Sequence, residues 1–408
     1  MSRSILTTAV LATLMATPVM AQQASPYDEL RRDIEALAER LEKLEAENAQ
    51  LKARNEKLEG AALAQAPTPA AAAASTLAQT PADVKPVAKP WYENTKIGGY
   101  VIGDAYAVLG NHNSAVEDQT GFWMRRAYIG FDTKISSEWS SLLRFESNSP
   151  GDFKTNAKMT PFVKDAFLAW KRAGQELYLG ISPTPTYKYV EDFWGYRSIE
   201  KTPLDLFRMG SSRDFGVAYK TTAMENKVFY HVMFGNGAGE GGETNEGKKG
   251  MFSVGFDFPG ALVAQIYADF EDRPGNTDRT TYHAFLGWKG ASSRYGLEYG
   301  WQDREVETGP DEDVSVVSVF GVWDLSDKSS LIARWDRAFD GFSDSDKIPY
   351  IPIAKDTEFD LVILGWDYKL HKQISLMPNV EYVMYRNTDG LPAPDDDLFA
   401  RMTLYYKF

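Results

Sequence analysis

Few side chains in this sequence of 408 residues could act as catalysts or metal ligands. The chain has no cysteine, which excludes disulfides, thiol nucleophiles, zinc fingers and iron–sulfur ligation. It has four histidines, which are far apart: His112, His231, His283 and His371. We therefore predict neither a histidine-rich metal site nor a Ser–His–Asp nucleophile, and hence no enzyme activity and no cofactor. Two acidic clusters, 311–313 and 395–397, offer oxygen ligands for calcium, but we interpret them as solvated loop charges.

The remaining chemistry lies in charged side chains that could bind and orient ions. One group lies between residues 183 and 212: Lys188, Glu191, Asp192, Arg197, Lys201 and Arg208. A second group lies on the polar faces of segments with alternating hydrophobicity: Arg126, Arg144, Asp165, Arg294, Glu298 and Arg334. The whole chain has a formal net charge of −13 and no clustered basic surface, so nucleic acid is not an expected partner.

The first 90 residues carry targeting and assembly signals. A basic residue, an apolar run from 5 to 15 and a small-residue junction ending at Ala21 predict a signal peptide over residues 1–21. The alternative, a membrane anchor, needs a run of roughly 20 apolar residues. Residues 22–59 have leucine at every seventh position from 30 to 58, which predicts a coiled coil; the alternative is a single charged helix. Residues 60–90 are rich in alanine and proline and predict an extended linker.

The rest of the chain, 91–408, alternates between large apolar side chains and small or polar ones. In the segment 295–302, tyrosine, leucine and tryptophan occupy the odd positions, and glycine, glutamate and glutamine the even ones. Such segments have the length of about ten residues that a tilted strand needs to cross a bilayer. Sixteen can be counted, approximately at 95–108, 121–135, 138–148, 160–171, 175–182, 213–222, 226–236, 248–258, 260–272, 278–289, 292–305, 312–325, 328–340, 355–370, 372–386 and 395–408.

The connections predict how these strands are arranged. Short turns such as 136–137 and 173–174 alternate with longer polar loops, which is typical of an outer-membrane barrel. The final alternating segment ends on Phe408, similar to the assembly signal of bacterial outer-membrane proteins. We therefore predict an all-β fold, a 16-stranded antiparallel transmembrane β-barrel in the outer membrane, preceded by a short α-helical coiled coil in the periplasm. Outer-membrane lipid would surround the barrel.

Several motifs resemble one porin family. They are Arg125–Phe131 followed by Trp139 and Arg144–Glu146, then Lys164–Phe167, then Ser212–Val217. In this order they are similar to the phosphate-selective porin O and P family. The resemblance covers most of 95–408 and implies a trimeric porin of sixteen strands. Where that family usually has a strand followed by Pro-Phe-Gly, this chain reads Leu179-Gly-Ile-Ser-Pro-Thr-Pro and continues into its longest loop. This departure bears on substrate specificity.

The resemblance also implies that the longest loop, the third long one, folds into the lumen. We then expect its six charged residues to form a constriction, with the second group of six lining the lumen wall. Rows of opposite charge would filter solutes by charge. We expect a channel for small hydrophilic solutes that favours anions such as phosphate or carboxylates. The alternatives are a general diffusion pore with little charge selectivity, a barrel serving mainly as an envelope tether, a loop that stays on the external surface, and wall charges that only form ion pairs.

Overall fold

The computed structural model describes residues 90–387 and 392–408, together with three isolated helical positions, Lys43, Ala46 and Gln50. The chain divides into two units, Met1–Val87 and Ala88–Phe408, and the strands lie in the second. The predicted signal peptide, coiled coil and linker lie outside the described residues, apart from those three positions and residue 90, so they stay predictions. Within the described part of the chain, no helix is long and apolar enough to cross a membrane.

The described residues form sixteen strands, β1 to β16 in chain order. Their bounds are Thr95–Gly110, Thr120–Lys134, Trp139–Asn148, Thr160–Arg172, Gln175–Pro183, Arg213–Ala223, Val228–Gly235, Lys249–Asp257, Leu262–Glu271, Arg279–Lys289, Ser293–Arg304, Glu312–Ser326, Ser329–Ala338, Phe359–His371, Ile374–Tyr385 and Asp397–Lys407. Each strand pairs with its sequence neighbours, and β1 pairs antiparallel with β16, so the sheet closes into a barrel. The predicted sixteen-stranded barrel is confirmed.

The C-terminal residue takes part in this closure. The N–H of Phe408 donates to the carbonyl of Gly99 at 3.0 Å, and the N–H of Gly99 donates to the carbonyl of Phe408 at 3.1 Å. Val101 of β1 faces Tyr406 of β16 next to this pair. The terminal alternating segment thus supplies the last rungs of the seam between the first and last strands.

The two faces of the strands separate as the alternation predicts. On β11, Tyr295, Leu297 and Tyr299 expose 41%, 46% and 45% of their surfaces on the outer side of the barrel. Glu298, between two of them, exposes only 1% and faces the interior. A closed sheet pairs the backbone groups that hydrocarbon would leave unsatisfied, so this outer apolar face can lie against lipid.

Short turns and long loops lie at opposite ends of the barrel. The turn between β4 and β5 consists of Ala173 and Gly174, which have φ angles of 50° and 77°. Two successive left-handed residues give the turn geometry that matches the twist of paired strands. The opposite end carries the long loops, of which 184–212 and 339–358 are the largest. In outer-membrane barrels the short turns face the periplasm and the long loops face outward.

Both of these loops fold into the barrel. The constriction loop, residues 184–212 between β5 and β6, contains two short helices, α1 (Lys188–Trp194) and α2 (Pro203–Leu206). The plug loop, residues 339–358 between β13 and β14, contains one 3-10 turn, Ser345–Lys347. Apolar side chains of both loops pack with the inner faces of β12 to β16 in one cluster. The loop side chains exposed by 2% or less include Ile199, Leu204, Phe207, Phe342, Ile351 and Ile353, and the equally buried wall side chains of the cluster include Val316, Leu361 and Val383.

The inner wall of β12 and β14 therefore differs from the polar, water-facing wall predicted from the alternation. Val314, Val316 and Val322 of β12 face inward with exposures of 1% or less, and Leu361 and Ile363 of β14 expose none of their surface. These side chains are dry because the two inner loops cover them, and burying apolar surface stabilises the loops in place. The barrel interior is thus partly a packed core.

Candidate functional site

The constriction loop is held inside the barrel by its own apolar residues and by a tight helix end. Trp194, at the end of α1, is fully buried, and its indole N–H donates to the carbonyl of Glu200 at 3.0 Å. Helix α1 ends at Gly195, which has a φ of 73° and donates its N–H to the carbonyl of Glu191 at 2.9 Å. Glycine adopts this left-handed conformation without strain, so the chain can reverse here and return across the lumen.

Polar side chains of the barrel wall hold the backbone of the constriction loop. Arg294 donates to the carbonyls of Phe193 and Trp194 at 2.8 and 2.9 Å. Three further wall residues do the same along the loop: Arg125 donates to the carbonyls of Ser198 and Ile199, Arg334 to that of Lys201, and Gln302 to that of Met209. A buried carbonyl without a donor costs free energy, so these side chains fix the path of the loop.

The charged residues of the loop pair mainly with one another. Arg197 lies 2.9 Å from Glu191 and 3.2 Å from Asp205, and Lys201 lies 3.5 Å from Asp205. Burial alone would raise the pKa of Asp205, but the positive charges of Lys201, Arg197 and the wall residue Arg126 outweigh it and hold that pKa well below its usual value. Asp205 is therefore a permanent negative charge at the constriction. The loop charges are interleaved, since each of these cations lies within 3.5 Å of a carboxylate.

The wall opposite this cluster is formed by β2, β3, β4 and β6. Arg126 pairs with Glu146 at 2.9 Å, and Arg144 pairs with Asp165 through a bond of 2.6 Å. Two further cations belong to the same network: Arg213 lies 2.6 Å from Asp165, and Lys164 lies 3.4 Å from Glu146 and also contacts Glu240. Arg126 also lies 3.3 Å from the hydroxyl of Tyr128, which Arg197 of the loop approaches to 3.4 Å. The wall network and the loop cluster thus meet at this hydroxyl, and we call the narrow space that they border the passage.

The twelve residues predicted from the sequence fall into four places. Six meet at the passage: Arg126, Arg144, Asp165, Glu191, Arg197 and Lys201. Lys188 and Asp192 pair with each other on α1 and line the cavity on the short-turn side of the loop. Arg208 lies toward the long-loop end, 2.9 Å from Asp344. Arg294, Arg334 and Glu298 lie beneath the loop; Glu298 is buried 3.1 Å from the ring nitrogen of His283.

Sequence reasoning missed Lys164, Arg213 and Glu240 as members of the wall network. Lys164 and Arg213 are part of motifs that carry the family resemblance, so a signal for them was present. Glu240 carried no such signal, because it lies in a polar loop whose path across the barrel mouth depends on the folded structure. The plug loop was also missed, although its segment from Ile348 to Ile353 is unusually apolar for an external loop.

Two cavities lie on either side of the constriction loop. The larger, of about 510 Å³, opens toward the long loops and is lined by Lys201, Arg208, Lys249 and Arg279, among others. The smaller, of about 270 Å³, lies toward the short turns, since Gly174 of the turn between β4 and β5 is one of its lining residues. Both cavities contain charged and uncharged polar groups, so both can hold water and hydrated solutes.

A closed membrane barrel that is narrowed by an inward-folded loop, with a polar cavity on each side of it, is a channel for passive diffusion of small hydrophilic solutes. The family model described as "Gram-negative porin" matches residues 61–390, and the chain belongs to that family. Membership places the barrel in the outer membrane. The finer resemblance to the phosphate-selective porin O and P family stays a prediction.

Solved structures share this fold at low sequence identity. OmpT of Vibrio cholerae is 15% identical with a TM-score of 0.55, and the match covers 77% of this chain and 97% of OmpT. The anion-selective porin from Comamonas acidovorans is 13% identical with a TM-score of 0.55, over 77% and 99% of the two chains. OmpF of Salmonella typhi, in complex with daunomycin, is 12% identical with a TM-score of 0.55, over 77% and 97%. No curated protein sequence matches this chain significantly.

Proposed function

We propose that this porin favours small anions over cations at its constriction. The observation that carries the proposal is that the wall arginines are more exposed than the carboxylates they pair with. The carboxylates of Asp165 and Glu146 expose 0% and 1% of their side chains, whereas Arg144 and Arg126, which pair with them, expose 25% and 13%. These guanidinium groups are therefore more exposed than their partner carboxylates, so this wall presents positive charge to a solute, whereas on the loop side Glu191 is exposed by 22% and its partner Arg197 by 15%.

The size of the preference follows from the balance of charges. The passage holds six cations, Arg126, Arg144, Lys164, Arg197, Lys201 and Arg213, and their ion-pair partners are five carboxylates, Glu146, Asp165, Glu191, Asp205 and Glu240. A local excess of one positive charge supports a moderate preference. The anion-selective porin from Comamonas acidovorans shares the fold alone, so its selectivity adds little weight. A general diffusion pore with little charge preference is the competing function, favoured by the same ion pairing.

The R144Q variant tests the proposal. Asp165 keeps Arg213 as a partner in this variant, so the change removes one exposed cation without leaving a buried carboxylate alone. We expect the chloride-to-potassium permeability ratio, from zero-current potentials across a potassium chloride gradient, to exceed one in the natural protein and to fall about twofold to fivefold in R144Q. The R172Q variant is the matched control, because Arg172 exposes 68% of its side chain near a short turn. A cation-selective potential in the natural protein, unchanged by R144Q, would exclude the anion preference.

We further propose that the mature protein starts after residue 21, and that its periplasmic coiled coil (22–59) and its barrel (91–408) form one homotrimer, joined by the linker (60–90). Supporting this are the heptad leucines and one structural neighbour, the trimer form of in-vitro folded OmpT from Vibrio cholerae. Three tethered helices meet at high effective concentration, which favours a shared symmetry. An envelope tether is the competing role for the coiled coil.

Native mass spectrometry tests the shared trimer on the full mature protein and on a variant starting at Trp91. We expect trimers from both, with the full protein dissociating at a higher collision energy because its helices add a second contact. Should the full protein be a trimer while a peptide of residues 22–60 is a dimer at every concentration, the helices serve another contact. A monomeric barrel in both samples would refute the trimer itself.

A further inference from the structure

A row of charged side chains crosses the barrel wall at the long-loop end of four neighbouring strands. In the registered ladder, Lys249 of β8 faces Glu271 of β9, Glu271 faces Arg279 of β10, and Arg279 faces Arg304 of β11. Paired residues point to the same side of a sheet. Lys249, Glu271 and Arg279 line the larger cavity, so this side is the interior. The row therefore presents two cations, Lys249 and Arg279, and one carboxylate to the cavity above the constriction loop, with Arg304 next to Arg279 in the row.

The neighbours of Arg279 already have partners. Glu271 accepts from Lys249 at 3.0 Å and lies 3.4 Å from Arg273. Arg304 donates to the side-chain oxygen of Gln302 at 2.6 Å and lies 3.4 Å from Asp344. Arg279 is half-buried, yet its side chain has no ion pair and no hydrogen bond with any residue in 90–387 or 392–408. Its register partner Glu271 is committed to two other cations.

An unpartnered guanidinium in such a position calls for an anionic ligand. The group is always charged and has five N–H donors in a planar fork, and partial burial takes water away from it. Arg273 and Arg304 lie beside it and add positive charge at this side of the cavity, whose lining also includes the carboxylates of Asp205, Asp214 and Asp344. A planar fork matches the two oxygens of a carboxylate or a phosphate group, which can accept two parallel hydrogen bonds.

We infer that Arg279 is the binding residue of a saturable site for small oxyanions, carboxylates or phosphate, in the cavity at the outer side of the constriction. The inference deepens the proposed anion preference and rests on it for its role in transport. At about 510 Å³ the cavity is within the range of ordinary small-molecule sites and can hold such a solute together with water. Lys201 of the constriction loop lines the same cavity, so an anion released from Arg279 next meets the cations of the passage.

Ion currents through the full protein in planar bilayers test the site, with sodium phosphate or sodium succinate added to both chambers at constant potassium chloride. We expect at least one of the two added anions to reduce the chloride current along a saturating curve in the natural protein. In R279Q the half-saturating concentration should rise at least tenfold for the anion that binds. R273Q is the matched control, since it removes a charge from the same cavity but one that is already paired with Glu271; its half-saturating concentration should change less than twofold.

The two anions separate the possible ligands, because a site for carboxylates gives saturation with succinate alone and a site for phosphate gives it with phosphate alone. R279K keeps the charge but loses the planar fork of N–H donors, so we expect an intermediate rise in the half-saturating concentration. If R279Q fails to assemble, R279K provides the test. The site would be overturned if the current fell linearly with the concentration of both anions, or if the half-saturating concentration rose equally in R279Q and R273Q. Either result would indicate that the overall positive charge of the cavity acts on anions without a specific site. Zero-current potentials in the same membranes distinguish the failure of one proposal from the failure of the other. An anion-selective channel whose current does not saturate refutes only the site. A non-selective channel whose current saturates in the natural protein but not in R279Q refutes only the anion preference.

Discussion

Replacing Arg334 by methionine is expected to destabilise the folded barrel by about 3–5 kcal/mol and to free the constriction loop. Its guanidinium donates to both oxygens of Asp336, with its Nε at 2.8 and 3.0 Å, and also to the carbonyl of Lys201 in the loop. Arg334 and Asp336 expose 1% and 0% of their side chains. The substitution therefore leaves a buried carboxylate without its cation and a loop carbonyl without its donor. Two measurements apply: the temperature at which the heat-modifiable folded form is lost on a gel, and the current noise of single channels.

The double variant R334M/D336N separates the two roles of Arg334. It removes the buried charge together with its partner, so most of the thermal stability should return, whereas the carbonyl of Lys201 still lacks its donor. We expect raised current noise in both variants and a large stability loss only in R334M. Quiet channels in the double variant would show that Arg334 matters through its charge pair and that other contacts hold the loop.

An I351D substitution in the plug loop is expected to detach that loop and to raise the single-channel conductance. Ile351 exposes none of its surface and packs within the cluster formed by the plug loop, the constriction loop and the inner faces of β12 to β16. An unpaired carboxylate there costs several kcal/mol, which a loop can avoid by moving out to water. The apolar wall of β12 and β14 would then border water, so the open cross-section grows.

The conservative variant I351V is the matched control for the plug loop. It removes one methylene group, which costs about 0.5–1.5 kcal/mol, and should leave the conductance unchanged. Conductance is measured in planar bilayers at high salt, where charge effects are screened and the current follows the open area. An unchanged conductance in correctly assembled I351D would show that the plug loop does not limit the pore.

The sequence by itself determined the barrel. Each strand can be recognised from its own residues, because a residue that faces lipid must be apolar and its two neighbours face the other way. A period of two residues in hydrophobicity therefore marks every membrane crossing. The observed strands lie within four residues of the predicted segments at every end, and the paired Phe408 lies where the terminal alternation placed it. The length of the third long loop and its charged residues were equally visible in the sequence.

Only the tertiary structure decided which charges face the passage. Arg294 and Arg144 occupy similar positions in their strands' alternation, yet Arg294 binds loop carbonyls while Arg144 borders the passage. Alternation tells which face a side chain takes, but not what lies opposite it inside the barrel. That depends on where the two inner loops settle, and their path is set by contacts between residues more than a hundred positions apart, such as Arg334 with Lys201. For the same reason, the apolar plug loop and the absence of a partner for Arg279 among the described residues emerge only once the loops are in place.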